Sequence, residues 1–147
     1  MTDKILYTAV ATASPEGREG RVSSSDGRLE VELAVPAELG GSGGGGTNPE
    51  QLFAAGYAAC FTSALHLVGR RERVATTGAG ATARVGVKRA ADRGFALVIE
   101  LDVSVPHLAQ AEAERIVSMA HEVCPYSNAI RGNVPVELAV QGAQTTT

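Results

Sequence analysis

Alternating hydrophobic and polar residues in the first quarter of the chain predict β-strands. The apolar positions within residues 4–35 are Ile5, Tyr7 and Ala9 in one stretch and Val31, Leu33 and Val35 in another. A period of two is typical of strands with one buried face. Between the two stretches, Ser25-Asp26-Gly27-Arg28 carries an Asp-Gly turn signal, so we expect a hairpin there.

A long apolar helix is predicted after a glycine-rich loop, residues 40–46, which we expect to be a pliable connection. Asn48 suits the N-cap of this helix, Pro49 its first position, and Gln51 the third position of a capping box. The helix should run to about Arg71. Because residues 52–61 carry no charged side chain, the helix should be buried on all sides, centrally and against a partner subunit.

The second half of the chain predicts two more strands within residues 79–105, a helix over about 109–122, and a last strand over 134–140. The helix should end near Cys124, because the residue before Pro125 is pushed away from helical geometry. Hairpins dominate and no regular βαβ alternation is present. We therefore expect an α+β fold, with antiparallel sheets packed around the long helix, in a single domain of residues 1–147.

Composition narrows the possible functions. Lys and Arg number 13 against 16 Asp and Glu, a net charge of −3, and the chain has six aromatic residues and no Trp. Nucleic-acid binders usually carry a basic excess and stacking aromatics, so we expect no nucleic-acid partner. We count no apolar run of about 18 residues and therefore expect no membrane span. The first four residues lack the pattern of a secretory signal, and we expect a cytoplasmic protein.

The glycine-rich loop also matches a dinucleotide-binding pattern formally, from Gly41 to Gly46. That pattern normally follows the first strand of a βαβ unit and has an acidic residue about 20 positions further on. Neither feature is present, and no Lys follows Gly46 to make a phosphate-binding loop. We therefore do not expect a nucleotide cofactor.

Two cysteines, Cys60 and Cys124, are the main candidates for chemistry. A free cysteine on an apolar helix is usually only a small hydrophobe. Two thiols that meet in space can instead act as an attacking and a resolving pair. Cys60 lies deep within its helix, so stabilising its thiolate would require a cation from elsewhere. A metal site is an alternative, because His121 and Cys124 are three residues apart and could be joined by Cys60 or His66.

Several segments of the chain resemble the organic hydroperoxide resistance proteins of the Ohr/OsmC family. The matching segments are Leu6-Tyr7-Thr8-Ala9, Glu38-Leu39-Gly40-Gly41, residues 46–61 around Cys60, residues 120–128 around Cys124, and Arg131-Gly132-Asn133. The resemblance covers nearly the whole chain. It implies an OsmC-like fold, with antiparallel sheets around a long central helix, in an intertwined homodimer.

The resemblance also implies an activity, that of a thiol peroxidase for alkyl and fatty-acid hydroperoxides. It implies that Cys60 attacks the peroxide, Cys124 resolves the resulting sulfenic acid, Arg18 supplies the cation near Cys60, and Glu50 orients Arg18. A lipoylated protein or another lipoyl dithiol would be the reductant, so that neither a bound cofactor nor a metal is implied. The apolar residues around Cys60 favour organic hydroperoxides over hydrogen peroxide.

Helix geometry adds a constraint on this site. Glu50 and Cys60 are ten residues apart on one helix, which is about 15 Å along the axis and roughly 80° around it. An arginine held by Glu50 therefore cannot easily serve Cys60 of the same helix. We expect a composite site at a two-fold interface, with Arg18 and Glu50 from one subunit and both cysteines from the other. The alternatives are an OsmC-type paralogue with another peroxide preference, a non-catalytic redox switch, and a structural dimer with inert thiols.

Overall fold

A small three-stranded sheet forms the N-terminal part of the chain. The computed structural model describes residues 3–92 and 94–144 and divides into two compact units, Met1–Leu52 and Phe53–Thr147. The first unit contains β1 (Ala11–Ala13), β2 (Arg21–Ser24) and β3 (Glu30–Glu32), paired antiparallel in that order. The predicted hairpin joins β2 to β3, and its Asp26 carboxylate accepts the Arg28 N–H at 3.0 Å. The single domain expected for the whole chain stays a prediction.

The strand predicted around Ile5, Tyr7 and Ala9 is not formed. In the described part of the first unit, pairing begins next to Val10, whose carbonyl accepts the Ser25 N–H at 2.8 Å. Ile5, Leu6 and Tyr7 are 76%, 92% and 79% exposed. The alternation marked an apolar segment, but a strand also needs a hydrogen-bonded neighbour, and the described chain gives this segment none.

The glycine-rich loop packs closely against the first sheet and is not simply pliable. The N–H of Thr47 donates to the Glu32 carbonyl at 2.9 Å, which holds the end of the loop beside β3. A Cβ atom on Gly46 would overlap the backbone of Leu33, and one on Gly41 would overlap the Val35 carbonyl. Glycine at these two positions allows the backbones to approach each other.

The predicted long helix is present as α1 (Pro49–Glu72). Asn48 caps it as expected, because the Gln51 N–H donates to the Asn48 Oδ1 at 2.8 Å. The side chain of Gln51 accepts from the hydroxyl of Thr47 at 2.6 Å, one residue before the position that a capping box uses.

Within the single chain α1 is buried on one face only, and its burial against a partner subunit stays a prediction. The buried positions lie on one face, at Tyr57, Phe61, Ala64, Leu65, Val68 and Gly69. On the other face, Ala55, Ala59 and Ser63 are exposed.

The second unit contains a three-stranded sheet with β5 in the centre. β4 (Gly80–Ala90) pairs antiparallel with β5 (Gly94–Ser104) along their whole length, as predicted. Arg93, which lies between the two strands in the sequence, is outside the described residues. β6 (Val136–Gln141) then pairs parallel to β5, which departs from the antiparallel pairing expected for all strands. The helices α2 (Gln110–Val123) and α3 (Pro125–Ile130) form the long crossover that parallel pairing requires.

The hydrophobic core lies within this second unit. One face of α1 contributes Tyr57, Phe61, Leu65 and Val68; β5 contributes Ile99, Leu101, Val103 and Val105; and α2 contributes Ala113, Ile116, Val117 and Ala120. Contrary to our expectation, α1 is long and apolar enough to cross a membrane by length and composition alone, with a mean hydropathy of 1.4. The core helix of a soluble protein can have the same composition, and one face of α1 packs in this core.

Candidate functional site

The two cysteines lie together in the second unit. Cys60 is on α1, and Cys124 lies between α2 and α3, 64 positions later in the chain. The thiol of Cys124 donates to the sulfur of Cys60 across 3.5 Å, and both residues are free cysteines. Cys124 is fully buried, whereas Cys60 is partly exposed. The thiols are therefore close enough for a disulfide to form after a small movement, with Cys60 the more accessible.

Cys124 owes its position to a bend between two helices. Its N–H donates to the Ala120 carbonyl at 2.9 Å and completes α2, as the sequence predicted. Its own backbone is extended, with ψ of 122°, because Pro125 follows. The Cys124 carbonyl then accepts the Asn128 N–H at 2.9 Å and begins α3, which the sequence did not predict.

The immediate surroundings of Cys60 do not favour its thiolate. Burial raises the pKa of the Cys60 thiol above its ordinary value, and the neighbouring Cys124 raises it further. A hydrogen bond from the backbone of Tyr126, in the first turn of α3, acts in the opposite direction but is the smaller effect. A reactive thiolate at Cys60 would need a cation in addition to these groups.

Arg18 and Glu50 form a bidentate ion pair in the first unit. The guanidinium Nη1 and Nη2 atoms of Arg18 donate to the two carboxylate oxygens of Glu50 at 2.9 and 2.7 Å. Arg18 lies in a short 3₁₀ turn, Gly17–Glu19, and Glu50 lies in the first turn of α1. Arg18 lowers the pKa of the Glu50 carboxyl. The side chain of Arg18 stays 46% exposed, so the guanidinium is oriented and accessible.

An aromatic cluster lies along α1 and onto α3. Phe53, Tyr57 and Phe61 are in edge-to-face contact along α1, at centroid distances of 6.3 and 6.4 Å. Tyr126 of α3 packs on the same group, 5.7 Å from the ring of Tyr57. Gly56 leaves room for it, because an added Cβ would come within 2.6 Å of the Tyr126 hydroxyl. These rings give the turn of α1 next to Cys60 an apolar lining.

A buried hydroxyl joins three elements around the cysteines, a feature that sequence reasoning missed. Ser127 of α3 lies 2.6 Å from the hydroxyl of Tyr57 and 2.9 Å from Nδ1 of His121. Burial and the nearby Arg131 guanidinium lower the pKa of His121, and burial raises the pKa of Tyr57. His121 and Ser127 are three residues before and after Cys124, and this spacing was the one available signal.

The metal alternative gains no support from the described residues. Among them, no three His, Cys, Asp or Glu side chains form a group that could hold a metal ion. Nδ1 of His121 is engaged with Ser127, and Nδ1 of His66 lies 3.0 Å from the hydroxyl of Thr76.

Comparison with known proteins finds similar sequences over nearly the whole chain. Residues 41–139 match the family model of OsmC-like proteins. The organic hydroperoxide resistance protein of Xanthomonas axonopodis pv. citri is 50% identical over 139 residues, which cover 94% of this chain and 96% of that protein. The organic hydroperoxide resistance protein OhrA of Bacillus subtilis is 48% identical over 92% of this chain and 96% of its own length.

A solved structure of a similar protein has the same fold. The crystal structure of an organic hydroperoxide resistance protein from Legionella pneumophila superposes with a TM-score of 0.89 at 51% identity, and covers 94% of this chain and 99% of that one. The α+β architecture of this chain is thus the fold expected from the Cys-centred segments. The chain belongs to the Ohr/OsmC family.

Proposed function

We propose that this protein is a cysteine-based peroxidase that reduces alkyl and fatty-acid hydroperoxides to alcohols. The names of its relatives support a role in resistance to organic hydroperoxides. The observation that carries the proposal is the 3.5 Å approach of the two thiols, one buried and one accessible. That arrangement suits an attacking and a resolving cysteine.

The proposed cycle has three steps. The Cys60 thiolate attacks the outer peroxide oxygen, the O–O bond breaks, and the leaving alkoxide takes a proton to become the alcohol. Cys124 then attacks the sulfur of the Cys60 sulfenic acid, which forms the disulfide and releases water. A dithiol finally reduces the disulfide and is itself oxidised to a disulfide.

Arg18 supplies the cation in this proposal, and Glu50 orients it. The bidentate pair fixes the guanidinium plane, and the burial of Cys60 makes such a cation necessary. Since ten residues of α1, about 15 Å of helix, separate Glu50 from Cys60, we propose that the pair of one subunit serves Cys60 of the other. The composite site takes Arg18 and Glu50 from the same subunit, and their pairing within one chain is consistent with this.

A homodimer is therefore part of the proposal. The first unit exposes Ile5, Leu6 and Tyr7 as consecutive apolar residues. In the second unit, the exposed face of α1 carries Ala55 and Ala59, whose small side chains allow another helix to approach closely. Both surfaces are of the kind that association with a second copy buries.

The surroundings of the thiols favour an apolar substrate. The aromatic cluster lies beside the turn of Cys60, and its two members with exposed surface, Phe53 and Tyr126, offer hydrocarbon contact there. Such contacts contribute to the binding of an alkyl or acyl chain but add little for hydrogen peroxide. We propose a lipoyl dithiol, carried on a protein or free as dihydrolipoamide, as the reductant. The protein would work in the cytoplasm without a bound cofactor.

Turnover with a bulky organic hydroperoxide and dihydrolipoamide tests the proposal. We expect many turnovers per subunit, slower turnover with hydrogen peroxide, and complete loss in Cys60→Ser. A single stoichiometric oxidation, with no turnover on any dithiol, would indicate a redox switch instead. Equal rates on both peroxides would contradict the apolar preference and favour an OsmC-type paralogue.

Hybrid dimers test the composite site. We expect Arg18→Ala and Cys60→Ser subunits each to be inactive in their own dimers. A dimer of one of each would hold one intact site if the residues act across the interface. Random two-fold pairing should then restore about one quarter of the parental activity. If Arg18 serves Cys60 of its own chain, the mixture stays inactive.

A further inference from the structure

Ser127 is the only link in a hydrogen-bonded chain from Tyr57 to His121 in the described structure. Its hydroxyl lies 2.6 Å from the Tyr57 oxygen and 2.9 Å from Nδ1 of His121. Tyr57 and Ser127 have no exposed surface. A single hydroxyl can accept one hydrogen bond and donate another, so it satisfies both neighbours at once.

The chain encloses the resolving cysteine. The hydrogen bond between His121 and Ser127 runs from the last turn of α2 to the first turn of α3, and closes the bend at Cys124. The hydrogen bond to Tyr57 ties this bend to α1, one helical turn before Cys60. The two hydrogen bonds of Ser127 thus connect the element that carries one thiol with the element that carries the other.

We propose that Ser127 is a positioning residue for disulfide formation, which holds the Cys124 bend against α1 so that the two sulfurs stay within reaction distance. This inference rests on the proposed peroxidase cycle and deepens its second step. Both hydrogen bonds of the hydroxyl go to Tyr57 and His121, so Ser127 acts through these neighbours and not on the sulfur atoms.

Two further observations support a positioning role. The lowered pKa of His121 keeps its imidazole neutral at neutral pH, so Nδ1 can accept from Ser127 while Tyr57 donates to Ser127. Arg131 donates to the His121 carbonyl and to the Asn128 side chain, and so braces the bend from outside. Removing the Ser127 hydroxyl would leave the buried Tyr57 hydroxyl and the half-buried His121 Nδ1 without this partner, and α3 would shift to bring them other donors or water.

Ser127→Ala should separate the two oxidative steps. After one equivalent of organic hydroperoxide, rapid-quench mass spectrometry follows the Cys60 sulfenic acid and then the disulfide. We expect sulfenic acid formation at close to the parental rate and disulfide formation slowed about 10-fold, the effect of losing a buried hydrogen-bonding partner. Excess peroxide should then produce more Cys60 sulfinic acid than in the parent. Ser118→Ala, an exposed serine on α2, is the matched control and should match the parent in both steps.

A second readout does not depend on peroxide. Oxidised glutathione reacts with Cys60 to give a mixed disulfide and free glutathione, and Cys124 then displaces the second glutathione. We expect this closure to slow by the same factor in Ser127→Ala, to recover in Ser127→Thr, and to slow less in Tyr57→Phe, which keeps the ring. If Ser127→Ala does not fold, Tyr57→Phe carries the test.

The outcomes distinguish the two proposals. Parental closure rates in both Ser127→Ala and Tyr57→Phe would overturn the positioning role, as would equal slowing of sulfenic acid formation and closure. A parent that closes the disulfide with glutathione but does not consume hydroperoxide would overturn the proposed function. The closure measurement would then still decide the role of Ser127.

Discussion

The sulfur atoms of Cys60 and Cys124 lie 3.5 Å apart, although the two residues are 64 positions apart in the chain. Cys60 is partly exposed on α1, whereas Cys124 is buried in the bend between α2 and α3. This asymmetry supports the different tasks that we propose for two chemically identical groups. In that proposal an oxidant reacts with Cys60 first, and Cys124 then reacts with the product formed on Cys60.

Cys124→Ser should leave the first oxidation intact and stop the cycle there. Without a resolving thiol, the Cys60 sulfenic acid persists and a second peroxide converts it to sulfinic acid. Mass spectrometry after stepwise addition of hydroperoxide measures both products. Cys60→Ser is the control and should stay unoxidised under the same conditions. A disulfide-free Cys124→Ser protein that still turns over with dihydrolipoamide would contradict the assigned roles.

Arg18→Ala should raise the pKa of the Cys60 thiol while the fold stays intact. Loss of one nearby cation reduces the thiolate fraction, so alkylation at neutral pH should slow about 10-fold. Iodoacetamide rates as a function of pH give the pKa directly. Arg21→Ala is the matched control, because Arg21 is also exposed and paired, with Glu32 at 3.3 Å. An unchanged alkylation profile in Arg18→Ala would remove Arg18 from the site.

Glu50→Gln should destabilise the protein in a pH-dependent way. Arg18 lowers the pKa of Glu50 in the folded chain, so the stabilisation is present above the ordinary pKa of 4.5 and is lost as the pH falls through the lower folded value. The difference in unfolding free energy from the parent should be about 0.5–1 kcal/mol near neutral pH, because solvent screens the half-exposed guanidinium.

Urea unfolding at several pH values measures this difference, which should shrink toward zero in acid. Glu38→Gln, a substitution of an exposed carboxylate, serves as the control and should not show the trend. A difference that grows as the pH falls would mean that the carboxylate destabilises the fold.

Leu6→Lys should weaken the proposed dimer. Leu6 is 92% exposed in the single chain, so a substitution there changes a monomer little but places a charge in an interface that buries it. Sedimentation analysis over a range of concentrations should show a dimer for the parent and a rising monomer fraction for the variant. Val98→Lys is the control, because Val98 is also an exposed apolar residue but lies on β5. This variant should remain dimeric. A parent that sediments as a monomer would exclude the composite site.

Local sequence patterns predicted the elements that local physics determines. The Asn48 cap and the apolar run predicted α1 almost to its last residue, and alternation predicted β4 and β5. Pro125 correctly predicted the end of α2. The sequence did not predict α3, because its six residues are too few to show a helical period. The parallel pairing of β6 depends on the crossover and not on the strand itself.

The candidate site was only partly visible in the sequence. Spacing alone could not bring Cys60 and Cys124 together, and only the resemblance to a family implied the pair. The Arg18–Glu50 pair came from the same source and is present with bidentate geometry. The link from Tyr57 to Ser127 spans 70 positions, and no local pattern of apolar and polar residues encodes it.

The position of Cys124 in the crossover between β5 and β6 has a consequence for the whole second unit. A bond between the two sulfurs would close a loop of 64 positions that contains β4, β5 and α2. By chain entropy, such a cross-link stabilises the folded state by about 4 kcal/mol. The oxidised protein should thus resist proteolysis better than the reduced protein. The supply of reductant would then determine the stability of the folded chain.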